Sequence, residues 1–351
     1  MTLPLRTAIV GTGMIARVHR RAILLAGATV TGVLGSRPAR SREVAAEWGV
    51  PGFGSYEEVL DSDAEVVHLC SPNATHHDYA LAALDAGKHV VCEKPLGLDL
   101  AEAEKMDSRA RESGLVATVP FVYRFHPVVR EIRARHRAGE FGRWTLLHGS
   151  YLQDWLLATE AVNWRVDPAQ GGASRAFADI GSHWCDLVEW VSGERIAELT
   201  ATTTTIHSGR KTEDAALVLF RTESGVPGST TISQVSAGRT NRLWFELDGT
   251  DGSAVFDQEQ PERAWLGRQT SAGWIVRDPG SPFPDAARLS SLPAGHAQGY
   301  AQCFENFVAD TYAAVRGFAP EGLPTFADGL RAARIADAVL RSAADGRWQR
   351  V

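Results

Sequence analysis

Lys94 ends an apolar run, Ala86-Gly87-Lys88-His89-Val90-Val91-Cys92-Glu93-Lys94-Pro95, and stands between an acid and a proline. A lysine fixed at the end of a buried strand can act on a bound molecule rather than on bulk water. It takes up a proton when neutral and polarises an oxygen when charged. A second cluster lies downstream, Gly171-Gly172-Ala173-Ser174-Arg175-Ala176-Phe177-Ala178-Asp179-Ile180-Gly181-Ser182-His183-Trp184-Cys185-Asp186. Asp179 and His183 are four apart, so on a helix both side chains face one way and can converge on one small molecule; Asp186, three further on, continues that face. The same pair also suits an ordinary helix start, with a capping aspartate and a histidine packed one turn later. No third ligand at recognisable spacing accompanies them, so no metal is expected.

A third constellation opens the chain. Thr7-Ala8-Ile9-Val10 runs into Gly11-Thr12-Gly13-Met14-Ile15-Ala16, a G-x-G-x-x-A turn between a strand and a helical pattern. Gly11 permits the bend, Gly13 lets backbone approach a pyrophosphate, and the helix start at Met14 and Ile15 faces the phosphates. Where the second strand ends, at Gly35-Ser36-Arg37, no acid stands ready for the ribose hydroxyls of NAD. Ser36 and Arg37, with Arg40 nearby, could hold a 2′-phosphate, which favours NADP; alternatively Arg37 stacks on adenine and NAD is used. The loop Ser71-Pro72-Asn73-Ala74-Thr75-His76-His77 follows another strand, at the sheet edge where ligands lie in open α/β folds. Pro72 stiffens it, Asn73 can bond a ribose or carboxamide, and His76 is either a ribose contact or a helix-capping histidine.

These residues need a scaffold, and the chain's rhythm supplies one. Up to about Val119, short β-rich runs alternate with helical spacing, which predicts a parallel sheet covered on both faces. Expected strands are Thr7 to Val10, Thr29 to Leu34, Gly52-Phe53, Val66 to Cys70, His89 to Cys92 and Leu115 to Val119. Expected helices are Met14 to Ala26, Pro38 to Trp48, Thr75 to Ala86 and Leu100 to Glu112, with Asp99 and Glu102 forming a capping box. After about Val128 the habit becomes antiparallel: strands over 143–151, 198–206, 215–220, 228–235, 243–247, 253–256 and 264–266, with a helix from Asp179 to about Val191. Residues 272–293 read as an irregular loop, and helices over 299–315 and 326–343 close the chain. Domains are therefore expected at 1–127, binding a dinucleotide, and at 128–351, binding substrate and carrying terminal helices that can pack back on the first.

The composition sets bounds on function. The chain has 351 residues, a net charge of -6 and 44% hydrophobic residues, which suits a two-domain globular protein. The acidic balance, with no long basic stripe, argues against nucleic acid, and no apolar stretch is long enough for a membrane helix. The four cysteines are far apart without a C-x-x-C pair, and no leader pattern precedes the first strand, so a reducing cytoplasm is expected.

Taken together, Gly11-Thr12-Gly13, Ser71-Pro72-Asn73 with His76, the run through Glu93-Lys94-Pro95-Leu96, and Asp179-x-Gly181-x-His183-x-x-Asp186 resemble the Gfo/Idh/MocA oxidoreductases over nearly the whole chain. The resemblance implies a Rossmann-type doubly wound parallel sheet, then an α/β domain with a large, mostly antiparallel open sheet that often forms the oligomer interface, here of a homodimer or homotetramer. It implies a catalytic set of Lys94, Asp179 and His183, and cofactor contacts from the glycine turn, Ser36, Arg37, the Ser71 to His76 loop, Glu93, Lys94, Trp164 and Arg165. Tyr123, Tyr151, Gln153, Asp154, Trp155 and Arg165 complete a substrate wall similar to that of levoglucosan-dehydrogenase-like sugar dehydrogenases; they are equally ordinary core and turn residues. The expected activity is NAD(P)-dependent oxidation of a secondary alcohol of a sugar, anhydrosugar or cyclitol. Its rivals are a glycosidase or epimerase that oxidises transiently and keeps its cofactor, and a non-catalytic dinucleotide sensor, against which the presence of Lys94, Asp179 and His183 counts.

Overall fold

The computed structural model describes residues 3–161 and 163–351, which form two compact units. The first comprises the chain up to Pro120 with Ala169–Gly172 and Phe304–Arg331; the second comprises Phe121–Pro168, Ala173–Cys303 and Ala332–Val351.

In the first unit, strands and helices alternate: β1 (Arg6–Val10), α1 (Met14–Leu25), β2 (Thr29–Leu34), α2 (Pro38–Trp48), β3 (Gly52–Phe53), α3 (Tyr56–Asp61), β4 (Val66–Leu69), α4 (His76–Asp85), β5 (His89–Cys92), α5 (Leu100–Ser113) and β6 (Ala117–Thr118). The six strands lie in the order β3-β2-β1-β4-β5-β6 with every pairing parallel. Helices on both faces explain why β4 is buried throughout and reads as a nearly continuous apolar run. The order reverses between β1 and β4, so their C-terminal ends flank the crevice where such sheets bind ligands. Two expected helix starts are present: Pro38 occupies the first turn of α2, and Asp99 Oδ1 accepts from Glu102 N at 2.9 Å. Helix α3 was not expected; its six residues are too few for a periodic signal, although Ser55 caps it through Glu58 N.

The second unit contains α6 (Pro127–Arg137), β7 (Trp144–Leu152), the start of a single turn α7 (Pro168–Gly171), a π-helical turn (Phe177–Gly181) leading into α8 (Ser182–Ser192), and then β8 (Ile196–Thr204), β9 (Ala215–Thr222), β10 (Pro227–Ser233), β11 (Arg242–Gly249), β12 (Ser253–Asp257), β13 (Arg263–Arg268), β14 (Ser271–Val276) and α9 (Pro284–Leu289). Two long helices follow, α10 (Tyr300–Val315) and α11 (Phe326–Asp345), and the chain ends on β15 (Gln349–Arg350). The nine-stranded sheet runs β14-β13-β12-β11-β7-β10-β9-β8-β15, antiparallel except where β7 pairs with β10. Its inner face packs Leu147, Phe220, Phe245 and Phe256 against Val129, Ile132, Trp184 and Leu187 of α6 and α8.

The irregular loop expected over residues 272–293 is a misreading: the segment holds most of β14 and all of α9. Strand β14 is an edge strand whose residues are nearly all exposed, so it lacks the inward-outward alternation that marks a strand in sequence. Helix α9 spans only six residues. The helix expected from Asp179 instead begins with the π turn, in which Ser182 N donates to Phe177 O. Gly181 leaves room for the Phe177 ring within this turn, since a Cβ there would lie 2.7 Å from it.

Candidate active site

In the first unit, Gly11 sits at the end of β1 with φ of +118°, and a Cβ on it would lie 2.4 Å from Cys70 O. That backbone approach from β4 closes the turn. A Cβ at Gly13, by contrast, meets nothing within 4 Å. Gly13 stands extended at the start of α1, whose first turn carries no acid and ends no side-chain cap, with Met14 exposed beside it. The helix N-terminus therefore presents its amides to open space, as a pyrophosphate requires. The residues fit a dinucleotide.

Ser36 and Arg37 are exposed after β2. Arg40 is committed elsewhere: it pairs with Glu43 at 2.6 Å, and its Nε donates to Thr12 Oγ1 at 3.3 Å. In the loop after β4, the Ser71 and Thr75 hydroxyls lie 2.6 Å apart, and Asn73 is buried with Nδ2 donating to Gly171 O at 3.0 Å. His76 is fully buried, with Nδ1 2.9 Å from Pro95 O and Nε2 3.0 Å from Ser71 O. Burial lowers its pKa, and the two carbonyls pull the other way. A neutral imidazole carries one N–H, so His76 donates to one of these two carbonyls, tying its ring to the Pro95 segment or to the loop after β4.

Lys94 is half-buried just after β5, and its peptide bond to Pro95 is cis. Its backbone N donates to Glu93 Oε2 at 3.2 Å, while Glu93 Oε1 lies 3.0 Å from His19 Nε2. Burial resists ionisation of Glu93, but the hydrogen bond from His19 and the charges of His19 and Lys94 hold its carboxyl below the ordinary range. Glu93 is therefore an anion under the lysine's backbone.

In the second unit, the π turn carries Asp179 and the first turn of α8 carries His183. Asp179 Oδ2 accepts from Gln234 Nε2 at 2.6 Å, and its Oδ1 lies 3.7 Å from Arg165 Nε. Gln234 is itself oriented by buried Arg175, whose Nη1 donates to its Oε1 at 3.0 Å and whose Nη2 pairs with Asp214. Arg165 also lies over the Trp164 ring, 4.4 Å from its centroid. His183 is buried, edge-on to Phe121 at 5.5 Å and to Tyr123 at 5.1 Å. Asp186 does not extend this set: it is buried in a two-point pair with Arg124, whose Nε donates to Oδ2 at 2.8 Å.

Four wall residues come together through one that the sequence did not single out. Asn241 Oδ1 accepts from Tyr151 Oη and from Gln153 Nε2, each at 2.7 Å; Tyr123 Oη is 2.6 Å from Tyr151 Oη; and Trp155 Nε1 donates to Gln153 Oε1 at 2.8 Å. Burial pushes both phenols up, so each stays a neutral hydroxyl. Asp154 stands apart, its carboxylate accepting from Gly238 N at 3.0 Å to fasten a turn.

Residues 5–121 match the oxidoreductase family with an NAD-binding Rossmann fold, and residues 129–255 match the GFO/IDH/MocA C-terminal domain. Levoglucosan dehydrogenase of Pseudarthrobacter phenanthrenivorans is 29% identical over 344 residues, spanning 89% of this chain and 87% of that protein. Among solved structures, levoglucosan dehydrogenase in complex with NADH and levoglucosan aligns with a TM-score of 0.91 at 26% identity, covering 99% of both chains. An inositol dehydrogenase homologue from Azotobacter vinelandii, complexed with NAD+, aligns at 0.92 with 28% identity, covering 99% of this chain and 97% of that one. Two family matches on successive segments, and likeness to these enzymes end to end, place the chain in the Gfo/Idh/MocA family of oxidoreductases.

Proposed function

We propose that the protein is an NAD(P)-dependent dehydrogenase that reversibly oxidises a secondary alcohol of a sugar, anhydrosugar or cyclitol to a ketone. The observation that carries this reading is the braced lysine: Lys94 is half-buried after β5, with Glu93 tied to His19 and the Pro95 carbonyl 2.9 Å from His76 Nδ1. Gly11, Gly13, Met14 and Ile15 would hold the pyrophosphate, with Ser71, Pro72, Asn73, Trp164 and Arg165 serving the rest of the dinucleotide. When bound, its nicotinamide takes up or returns hydride. In the oxidation direction the substrate hydroxyl must lose a proton, which His183 or Lys94 receives while the other polarises the oxygen. Asp179, held by Gln234, accepts from substrate hydroxyls. Tyr123, Tyr151, Gln153 and Trp155 combine apolar ring faces with hydroxyl and amide groups, the pairing that a polyhydroxylated ring needs.

The cofactor preference we propose is NADPH over NADH, because Ser36 and Arg37 are exposed at the end of β2 where an acid would favour NAD. Measured dissociation constants should favour NADPH, and Arg37→Ala should remove the difference. A preference for NADH that survives Arg37→Ala would show that this residue reads no phosphate. The function itself is tested on a panel of sugars, anhydrosugars and cyclitols with each cofactor. Reduced nicotinamide should form with at least one substrate, and a panel without turnover at millimolar concentrations would count against the reading.

A further inference from the structure

Behind the Lys94 segment, the first unit holds a chain of buried polar side chains in a place where packing alone calls for apolar ones. His19 of α1 uses Nε2 on Glu93 at 3.0 Å and Nδ1 on His68 Nδ1 at 2.7 Å. His68 of β4 reaches Tyr312 Oη with Nε2 at 2.9 Å, and Tyr312 Oη lies 3.2 Å from Thr7 Oγ1 of β1. Thr7, His19 and His68 are fully buried and Tyr312 nearly so. Burial pushes the His68 imidazole well down and the Tyr312 phenol up, so both are neutral.

A neutral His68 carries one N–H, and the chain is satisfied whichever nitrogen bears it. If His19 Nδ1–H donates to His68, then His68 Nε2–H donates to Tyr312, whose hydroxyl donates to Thr7. If His68 Nδ1–H donates to His19, each later bond reverses and Thr7 becomes the donor at the far end. In both orders His19 Nε2–H still donates to Glu93, and no buried polar atom of the chain is orphaned. His19 can therefore stand behind Glu93 as imidazole or as imidazolium. Well-packed apolar residues at these positions would serve stability as well or better, so packing does not account for the chain.

We infer that His19, backed by His68, Tyr312 and Thr7, is a positioning residue for the reaction, holding Glu93 as an oriented anion against the backbone of Lys94. This rests on the reading that Lys94 acts in the chemical step. Among the described residues, Cys70 just after β4, Cys92 on its own strand and His76 of α4 also face Glu93. Burial pushes both thiols well up and the imidazole down, so all three are neutral there. On this side the anion that Lys94 meets is Glu93, held against the lysine's own backbone N–H. An anion beside a lysine favours its ammonium form, and losing that anion lowers the pH at which the free amine appears.

The test is steady-state kinetics across pH with the full chain, its best panel substrate and its preferred cofactor, alongside thermal midpoints. Glu93→Gln keeps the shape and removes the charge, and should shift the Lys94 limb of the kcat/KM profile to lower pH. His19→Leu removes the hydrogen bond that orients Glu93 and should lower kcat by about tenfold or more, the scale known for losing an outer partner of a metal ligand. His19→Gln should recover most of the activity, because its amide can donate to Glu93 and accept from His68. A structural role alone would lower the midpoint without moving the limb. An unmoved limb in Glu93→Gln overturns the inference even if His19→Leu fails to fold, and wild-type kcat in a folded His19→Leu does so as well. Lys94→Ala separates the two claims: if it keeps near-native kcat, the functional reading fails; if it loses activity while Glu93→Gln and His19→Leu behave as wild type, the inference alone fails.

Discussion

Losing a general acid-base group commonly costs about 10² to 10⁴ in rate, whereas losing uniform binding raises KM and leaves kcat nearly unchanged. Lys94→Ala and His183→Ala should therefore lower kcat steeply while cofactor affinity, measured by calorimetry, stays close to native. Trp155→Ala, Trp164→Ala and Arg165→Ala should raise KM more than they lower kcat; the opposite split would move those residues into the chemistry. Gln234 belongs with the positioning groups, since it alone links Arg175 to Asp179 among the contacts described above. Gln234→Leu leaves the Asp179 carboxylate and a buried guanidinium each short of a partner. It should lower kcat/KM about tenfold and the thermal midpoint together, and unchanged kinetics would detach Gln234 from the site. Lys94, Asp179 and His183 could be singled out by type and local spacing. Gln234 and Asn241 could not, because their partners lie 55 and about 90 residues away in sequence and only the folded sheet brings them near.

At the scale of elements, the two glycines of the first turn have separable roles. A side chain at Gly13 enters open space, so Gly13→Val should fold with a near-native thermal midpoint and lose dinucleotide binding. Gly11→Ala places a Cβ against Cys70 O at a backbone angle that other residues rarely adopt, so it should destabilise the protein itself. Calorimetric titration with melting curves on both variants checks this, and native affinity in Gly13→Val would remove the basis for the turn as a phosphate cradle. Elements with strong local signals were legible: α2 runs from Pro38 to Trp48 as its proline start and spacing imply, and β2 and β5 match their apolar runs. The parallel first sheet and the mostly antiparallel second one followed from the change in rhythm near Val128. Exposed β14, short α3 and α9, and the two-residue β15 gave no such signal, since each is fixed by pairing or packing rather than by its own pattern. The π turn was hidden for a related reason. Asp179 and His183 read as one α-helical face, but Asp179 lies within the π turn, where the missing Cβ of Gly181 leaves room for the Phe177 ring.

For the whole molecule, the outward face of the nine-stranded sheet carries exposed apolar side chains. Strand register sets one row of that face across the sheet: Leu219, Ser229, His148, Glu246, Val255, Trp265 and Trp274 pair in sequence from β9 to β14. The row is polar in the middle, where His148 Nε2 lies 3.6 Å from Asp248 and 3.8 Å from Glu246, and apolar at its ends. Leu217, Leu219, Trp274 and Val276 are each about half exposed, at 49, 56, 54 and 61%. Contiguous exposed apolar side chains mark association surfaces, unlike single scattered ones, and here they stand in same-face pairs at the two ends of the row, Leu217 with Leu219 on β9 and Trp274 with Val276 on β14. The expected occupant is a second copy of the chain, giving a homodimer or homotetramer. Sedimentation at micromolar concentration should then find an oligomer. Leu219→Asp would place a charge on an outward position without touching the inner core, so it should shift the protein towards monomer while leaving the folded subunit intact. A wild-type protein that sediments only as monomer, or a Leu219→Asp variant that assembles as the wild type does, would mean that this face is not where the subunits meet.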